Sequence, residues 1–469
     1  MIVALGFSSL SAALMQTLVI PIQPELPALL HTSASNAAWI VTATLLGSAI
    51  AMPVAGRLAD LRGQKPVLIA LALSLMVGSL LCASSSGFAL VLIGRVLQGV
   101  AMGYVPVAIS MASQIAPPSM RNGAVAGISA TLGVGGALGL PLAAWIAQDF
   151  DWHGLFWFAT LLAVIVTAVS ILMIPRLAPV YTARFDYVGA VGLALGVVGI
   201  LVGVSKGNDW GWAAAGTLAA IIGGVVILTA WGFYETRHDE PLVDLRATAR
   251  RPVLLTNLAA LLIGFGQMTQ SIVMPRLLQL PAETGFGLGQ SVLLTGLWMA
   301  PAGIMTMLFS PIAARMLTKA GGRITLATGG LVVAAGYVAA FFLMNAPWQL
   351  TIGSMIAAGG VGIAFAALPT LIIQNTPTGK ASAGVGFNSM MRSMGTTLAG
   401  AVIAIILANE TVASSGKQIP AHHAFQLCFI IAASAAILAT LVTLCIRRAD
   451  TPRLVEEKTV ESDRVAVDA

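Results

Sequence analysis

The sequence predicts an all-α integral membrane protein of two six-helix bundles with two extra helices inserted between them, about 14 transmembrane helices in all. Three observations predict it. Of 469 residues, 58% are hydrophobic and 9% charged, with a mean hydropathy of +0.91. A soluble domain carries roughly 25% charged residues, so this chain cannot solvate its own surface and lipid must be its main solvent. The apolar residues gather in runs of about 20, the length that crosses a bilayer as a helix. The chain also repeats itself at long range, as the aligned segments below show.

The runs lie near 2–24, 37–56, 66–84, 88–112, 122–147, 153–174, 187–205, 212–234, 252–279, 289–316, 324–344, 347–373, 382–408 and 422–446. With the N-terminus inside, 19 of the 24 Lys and Arg fall in inner loops and the tail. The outer loops hold Lys206 and Lys417, and Arg95, Arg276 and Arg392 lie within spans. Basic residues mark the cytoplasmic side, so both termini are expected in the cytoplasm of an inner (plasma) membrane.

"MQTLVIPIQPELP" (15–27) aligns with "TQSIVMPRLLQLP" (269–281), placing Gln16 on Gln270, Pro21 on Pro275 and Pro27 on Pro281. "PVAGRLADLRGQK" (53–65) aligns with "PIAARMLTKAGGR" (311–323), and "AGISATLGVGG" (126–136) aligns weakly with "VGFNSMMRSMG" (385–395). Six spans thus recur as a second six. The expected division is an N-terminal bundle over 1–174, a two-helix insert over 187–234, a C-terminal bundle over 252–446 and a disordered cytoplasmic tail over 447–469. A charged stretch at 234–251 would link insert to second bundle. Parallel six-span repeats are how many secondary transporters are built, with the substrate between the halves near the midplane.

Several classes drop out. The first run has no basic residue before it and no small-residue cleavage site after it, so it reads as a span and not a secretory signal. The chain begins almost at the membrane, as it would if a short leader preceded it. Cys82, Cys428 and Cys445 sit in apolar runs and offer neither a disulfide framework nor metal-ligand spacing. The net charge of +6 lies in loops and does not point to nucleic acid. No phosphate-binding G-x-x-x-x-G-K-[S/T] occurs, so no cofactor is expected and the energy must come from an ion or substrate gradient. No nucleophile constellation marks an enzyme.

"GRLADLRGQKPVL" (56–68) joins the second and third runs. Gly56 and Gly63 allow close approach and a tight reversal. Asp60 sits among the cations Arg57, Arg62 and Lys65 and can cap the positive end of a neighbouring helix. Such a polar contact can hold in one conformation and break in another; the plainer alternative is an ordinary basic loop. The stretch resembles the signature loop of the major facilitator superfamily, G-x-L-A-D-x-x-G-x-K, at Gly56, Leu58, Ala59, Asp60, Gly63 and Lys65, with Leu61 and Gln64 at two usually basic positions. "GRVLQG" (94–99) resembles the superfamily's fourth-span motif. "RFDYVGAVGLAL" (184–195) with "GNDWGW" (207–212) resembles the opening of the insert in its 14-span drug:proton antiporter branch. The resemblance covers essentially the whole chain. It implies that Asp60 locks the cytoplasmic side against the start of the thirteenth span near Ser382.

Arg95 lies inside the fourth span, where a guanidinium costs about 2.5–3.5 kcal/mol on insertion scales. It must find acceptors, either in proton coupling or anion pairing with Gln98 nearby, or as a structural residue on backbone carbonyls. Asn388 and Arg392 share one helix face by their spacing of four, a face that lines the cavity or the seam between halves. Gln16 and Gln270 hold matched positions on the first and seventh repeated helices, with Gln267 one turn away. Met268 and Met391 lie near these segments; flexible thioethers suit a pocket for varied apolar shapes, unless they simply pack. The fifth-span antiporter motif is degraded: Gly135, Gly136 and Gly139 remain, Pro141 falls one place late, and Ala143 and Ala144 replace paired glycines. The branch's acidic residue in span 1 is also missing, with Met15 at its place. Glu25, at the outer end of that span, is the best remaining proton carrier, because partial burial would raise a carboxyl pKa; otherwise it is a solvated residue at the mouth.

The expected function is proton-driven export of amphipathic small molecules by alternating access, by a protein able to work as a monomer with the lipid bilayer, protons and a small-molecule substrate as partners. A dedicated exporter of one metabolite, siderophore or lipid-like product, anionic or zwitterionic, is the alternative. A non-transporting membrane sensor is a remote one.

Overall fold

The computed structural model describes residues 1–446 apart from 21, 24, 180–182, 378, 415 and 416. The tail expected to be disordered, 447–469, lies outside the described residues, as does Pro21. The chain is almost wholly helical: α1 (Ile2–Thr17), α2 (Leu26–Leu29), α3 (Ala34–Arg62), α4 (Gln64–Ala83), α5 (Phe88–Ala101), α6 (Tyr104–Ile115), α7 (Arg121–Asp149) and α8 (His153–Leu172) come first. Then follow α9 (Tyr187–Trp210), α10 (Ala215–Arg237), a short α11 (Leu245–Thr248), α12 (Arg251–Gln279), α13 (Val292–Lys319), α14 (Gly321–Phe342), α15 (Pro347–Asn375), α16 (Ala381–Asn409) and α17 (His422–Leu444). A two-stranded hairpin, β1 (Thr411–Ser414) and β2 (Lys417–Pro420), joins the last two helices.

Among the described residues thirteen stretches are long and apolar enough to cross a membrane, counting α5 with α6 as one; α1, at 16 residues, is a shorter apolar helix. In lipid only helices and closed barrels satisfy every backbone group internally, which is why so little else is present. Local chemistry sets the ends. Ser33, Asp186, Asp244 and Ser291 each cap a helix by accepting the amide three residues on, and Pro347 opens α15 while Pro252 is the second residue of α12.

Two readings of the sequence need correction. "GRLADLR" is not a loop: α3 runs through it to Arg62, and the reversal is Gly63 alone, at φ +87°. The fourth span is broken between α5 and α6 at Met102–Gly103, where the amides bond three residues back instead of four.

Helices α3 and α6 pack on α16, and α7 packs on α13 and α15, so the first six spans meet the last six along two seams. The inserted α9 lies against α3 and α16, with Leu193, Val197 and Leu201 against Leu46, Ala49 and Met390, and α10 lies outside it. Where helices cross closest they are bare of side chains, since apolar surface gives no advantage between helices in lipid and van der Waals contact must do the work. A Cβ on Gly360 would lie 2.5 Å from Val333 N, and one on Gly336 2.6 Å from Ala357 Cα, at the α14–α15 crossing.

Gly360→Val should therefore push α14 and α15 apart at a cost of about 1–3 kcal/mol, read as a lower melting temperature in detergent. Gly123→Ala, whose Cβ meets nothing within 4 Å, should melt at or slightly above wild type.

Candidate functional site

The face that carries the Lys- and Arg-rich loops is closed by contacts between the two sets of six. Asp60, in the last turn of α3, accepts the Ser382 amide at 3.1 Å on Oδ1 and the Ala383 amide at 2.9 Å on Oδ2. Both amides belong to the first turn of α16, where no intrahelical acceptor exists and the dipole favours an anion, by about 0.3–1 kcal/mol at exposed sites and up to about 2 kcal/mol when partly buried. Gly56 lets the helices approach: a Cβ there would stand 2.7 Å from the Ser382 carbonyl carbon. Around the clasp, Gln64 Nε2 donates to Ser110 Oγ and Ser382 Oγ at 3.3 Å each, and the two hydroxyls bond at 2.8 Å.

Further struts flank it. Lys380, the residue before α16, pairs with Asp244 at 2.7 Å. Asn122 of α7 bonds Thr318 of α13 at 3.3 Å. Lys65 Nζ donates to the Ile171 carbonyl at 2.8 Å, and Arg62 is exposed. Burial pushes the Asp244 carboxyl up, but the Lys380 ammonium, the Ala247 amide and Arg250 outweigh it and hold the group below the usual carboxylate range.

Deeper in the bundle a small cavity of about 60 Å³ opens between α7, α12, α13 and α15, lined among others by Gly136, Gln267, Gln270, Met299 and Thr306. Gln270 Nε2 donates to Ser354 Oγ at 2.9 Å. Gln267 Oε1 accepts from Arg392 Nη1 at 3.5 Å, and the Arg392 guanidinium lies 4.9 Å over the Phe365 ring. The structure thus brings Gln267, Gln270 and Arg392 together. Gln16 is half-buried on α1 and does not line this cavity. Asn388 faces Asn257 across the α12–α16 seam, at 2.9 Å. Met268 and Met391 are half-buried; Met268 packs on the main core, and Met391 against the cluster beside the insert.

Arg95 is buried on backbone carbonyls. Nε donates to the Ile40 carbonyl at 3.1 Å, and Nη1 to the Met15 carbonyl at 3.4 Å and to Gln98 Oε1 at 2.7 Å; Gln98 Nε2 continues to Ser79 Oγ at 2.9 Å. None of the ion pairs among the described residues involves it. Glu25 is exposed, so the partial burial on which its candidacy as proton carrier stood is not met. Gly135 and Gly139 pack directly on Ala13 and Thr17 of α1, Gly136 opens onto the cavity, and Pro141 abuts Gly296 of α13. The sequence reading missed Thr306, Ser354 and Asn257, single polar residues in apolar runs with no motif to mark them. It also missed the Asp244–Lys380 strut, whose partners are 136 residues apart.

The sequence matches the family model described as Major Facilitator Superfamily over residues 5–186, 187–400 and 288–468. An uncharacterized MFS-type transporter of Mycobacterium tuberculosis is 27% identical over 412 residues, 85% of this chain and 58% of that protein. The chain therefore spans less than two thirds of the length of that relative. A putative multidrug resistance protein of Pectobacterium atrosepticum is 27% identical over 424 residues, 88% of this chain and 89% of that protein. The crystal structure of a human organic anion transporter superposes with a TM-score of 0.66 at 16% identity, over 94% of this chain and 98% of that one.

Two outcomes are expected of the struts. With spin labels at positions 121 and 319, which flank the closed face, Asp60→Asn should populate longer distances than wild type; an unchanged distribution would show that the clasp does not hold that face. A carboxylate whose pKa is depressed by folding stabilises above its unfolded value and is lost as pH falls through its folded one, so the Asp244–Lys380 pair persists at neutral pH and yields only below about pH 4. Asp244→Asn should accordingly speed tryptic cleavage after Lys380 severalfold at neutral pH, with little change in melting temperature.

Proposed function

Because the chain belongs to the Major Facilitator Superfamily, a family of multi-pass membrane transporters, we propose that it exports amphipathic small molecules in exchange for protons by alternating access. On this reading it lies in the inner (plasma) membrane with both termini in the cytoplasm, and the closed basic face is the cytoplasmic gate. The observation that carries it is the clasp of Asp60 on the α16 amides. Two hydrogen bonds to a helix end are strong enough to bias a conformation and weak enough to release it, which is what a two-state gate needs. The multidrug-resistance name of a relative supports the drug-export reading, as does the lack of a phosphate-binding loop.

A second reading is favoured by the cavity. Its described lining holds amides, hydroxyls and thioethers but no carboxylate, and Arg392 stands beside Gln267. A basic group there would attract an anionic or zwitterionic cargo and repel a cation.

Purified protein in liposomes with a trapped pH dye separates the two. Under the first reading several unrelated lipophilic cations each drive proton flux across the membrane. Movement of a single class of anion, abolished in Arg392→Gln, would replace it with the second. In either case Asp60→Asn should lose most transport while keeping its melting temperature; normal transport by that variant would sink the gate assignment.

A further inference from the structure

Neither the clasp nor the cavity uses a pair of carboxyl groups buried at the basic ends of the inserted helices. Asp186 caps α9 and Glu235 lies in the last turn of α10; they are 5% and 2% exposed. Asp186 Oδ1 accepts the Gly189 amide at 2.7 Å and the Tyr234 hydroxyl at 3.1 Å. Its Oδ2 and both Glu235 oxygens have no hydrogen-bond partner among the described residues. The two groups converge over Gly189: a Cβ there would lie 2.5 Å from Glu235 Oε1 and 2.8 Å from Asp186 Cγ. Any larger residue at 189 would fill the space they share.

The surroundings supply little charge to balance two anions. The neighbouring charge that bears on Glu235 is that of Asp186. From α3 and α16 the adjoining cluster receives Leu46, Ala49 and Met390. On α10, the buried Trp231 turns its indole N–H towards Glu235, beyond ordinary hydrogen-bond length, His238 stacks on the Tyr234 ring at 5.1 Å, and Arg237 is exposed. In the linker, Glu240 takes the Arg184 amide, Arg246 donates to the Thr236 carbonyl, and Asp239 is exposed. Arg57 and Lys380 line a cavity together with Leu242, Val243 and Asp244, and Lys380 is paired with Asp244. Two carboxylates in one water-poor space cannot both ionise at ordinary cost, and the usual resolution is a proton kept between them.

The linker is what this pair touches. The Leu242 and Val243 amides face Glu235, although not at ordinary hydrogen-bond length. Leu242 and Val243 are buried on α9 and α10. The next residue, Asp244, caps α11 and holds Lys380 in front of α16, whose first amides Asp60 clasps. Three consecutive linker residues therefore connect the carboxyl pair to the gate.

We propose that Asp186 and Glu235 are a proton-binding pair that holds one proton between them, and that loss of this proton loosens the linker bracing Lys380. Deprotonation releases the proton to water on the basic face and leaves two anions in contact. Their repulsion drives the ends of α9 and α10 apart and carries the linker with them. The insert is thus a pH-sensitive brace on the gate, set apart from the cavity, and it requires no proton to be transported.

The whole protein in lipid nanodiscs tests this without any substrate. Infrared difference spectra between about pH 6 and about pH 9 should show a buried carboxylic C=O band that disappears on alkalinisation in wild type and is absent from Glu235→Gln. Over the same titration, hydrogen exchange of residues 238–250, corrected for the intrinsic rate, should rise in wild type and stay flat in Glu235→Gln. Asp186→Asn, which removes the repelling charge, should move the band's titration to lower pH. Absence of the band, or its survival in Glu235→Gln, overturns the proton site. A band that titrates while linker exchange does not follow overturns the brace. If Glu235→Gln fails to fold, Asp186→Asn decides alone: an unshifted titration overturns the pair.

Discussion

Asp60 holds two backbone amides that belong to the second set of spans, and much of the basic face is arranged so that this contact can form. The carboxylate reaches the amides because α3 stays helical to Arg62 and because Gly56 has no side chain to keep α16 away. The chain turns back at once because Gly63 accepts a positive φ. Gln64, the first residue after the turn, then meets Ser110 and Ser382 and closes the polar patch. The buried Arg57, one turn before Asp60, adds an attractive charge, but an Arg–carboxylate pair alone would be a poor substitute for the amides. It would cost several kcal/mol to strip of water and, if broken, leave an uncompensated charge. Orphan amides at a helix end can instead be handed to water when the face opens.

At the α14–α15 crossing, backbone touches backbone at Gly336 and Gly360, a fit that tolerates no sliding. Arg95 does the same with hydrogen bonds, joining α1, α3 and α5 through the Met15 and Ile40 carbonyls. Across the basic face α3 and α16 also meet backbone to backbone at Gly56 and Gly386, and the polar links described from α3 and α6 to α16 and from α7 to α13 are hydrogen bonds among hydroxyls, amides and one carboxylate. Bonds of that kind are worth about 0.5–1.5 kcal/mol each, so a few of them hold a population without locking it.

The spans, their number and the clasp residues were legible because lipid leaves large signals: long apolar runs, and charge confined to one side. Gly56, Asp60 and Gly63 were legible through their resemblance to the superfamily's signature loop, which also implied the partner near Ser382. The extension of α3 through "GRLADLR" was not, since Arg and Asp at a membrane surface suit a helix end as well as a loop. The partners of Arg95 were hidden for a deeper reason: they are backbone carbonyls, which carry no mark in a sequence. Glu25 showed the opposite failure. It was singled out for being the acid nearest the span, yet proximity in sequence says nothing of burial. Asp186 was visible as part of "FDYVGA", but its meeting with Glu235, 49 residues later, depends on how α9 and α10 pack.

The positions of the buried charges constrain how any coupling to protons can work. Two cations of the repeated helices rest on neutral groups, the buried Arg95 on carbonyls and Gln98, and the half-buried Arg392 on Gln267 and the Phe365 ring. An arginine does not lose its proton under ordinary conditions, so these residues can orient an anion or shape the field but cannot relay a proton. The described cavity lining offers no acid to do so. Among the described residues the buried acids stand at the basic face: Asp60 on the α16 amides, and Asp186 with Glu235 on the insert. Among the described residues, the buried acids at which a proton can act are therefore those of the Asp60 contact and of the proposed pair on the insert.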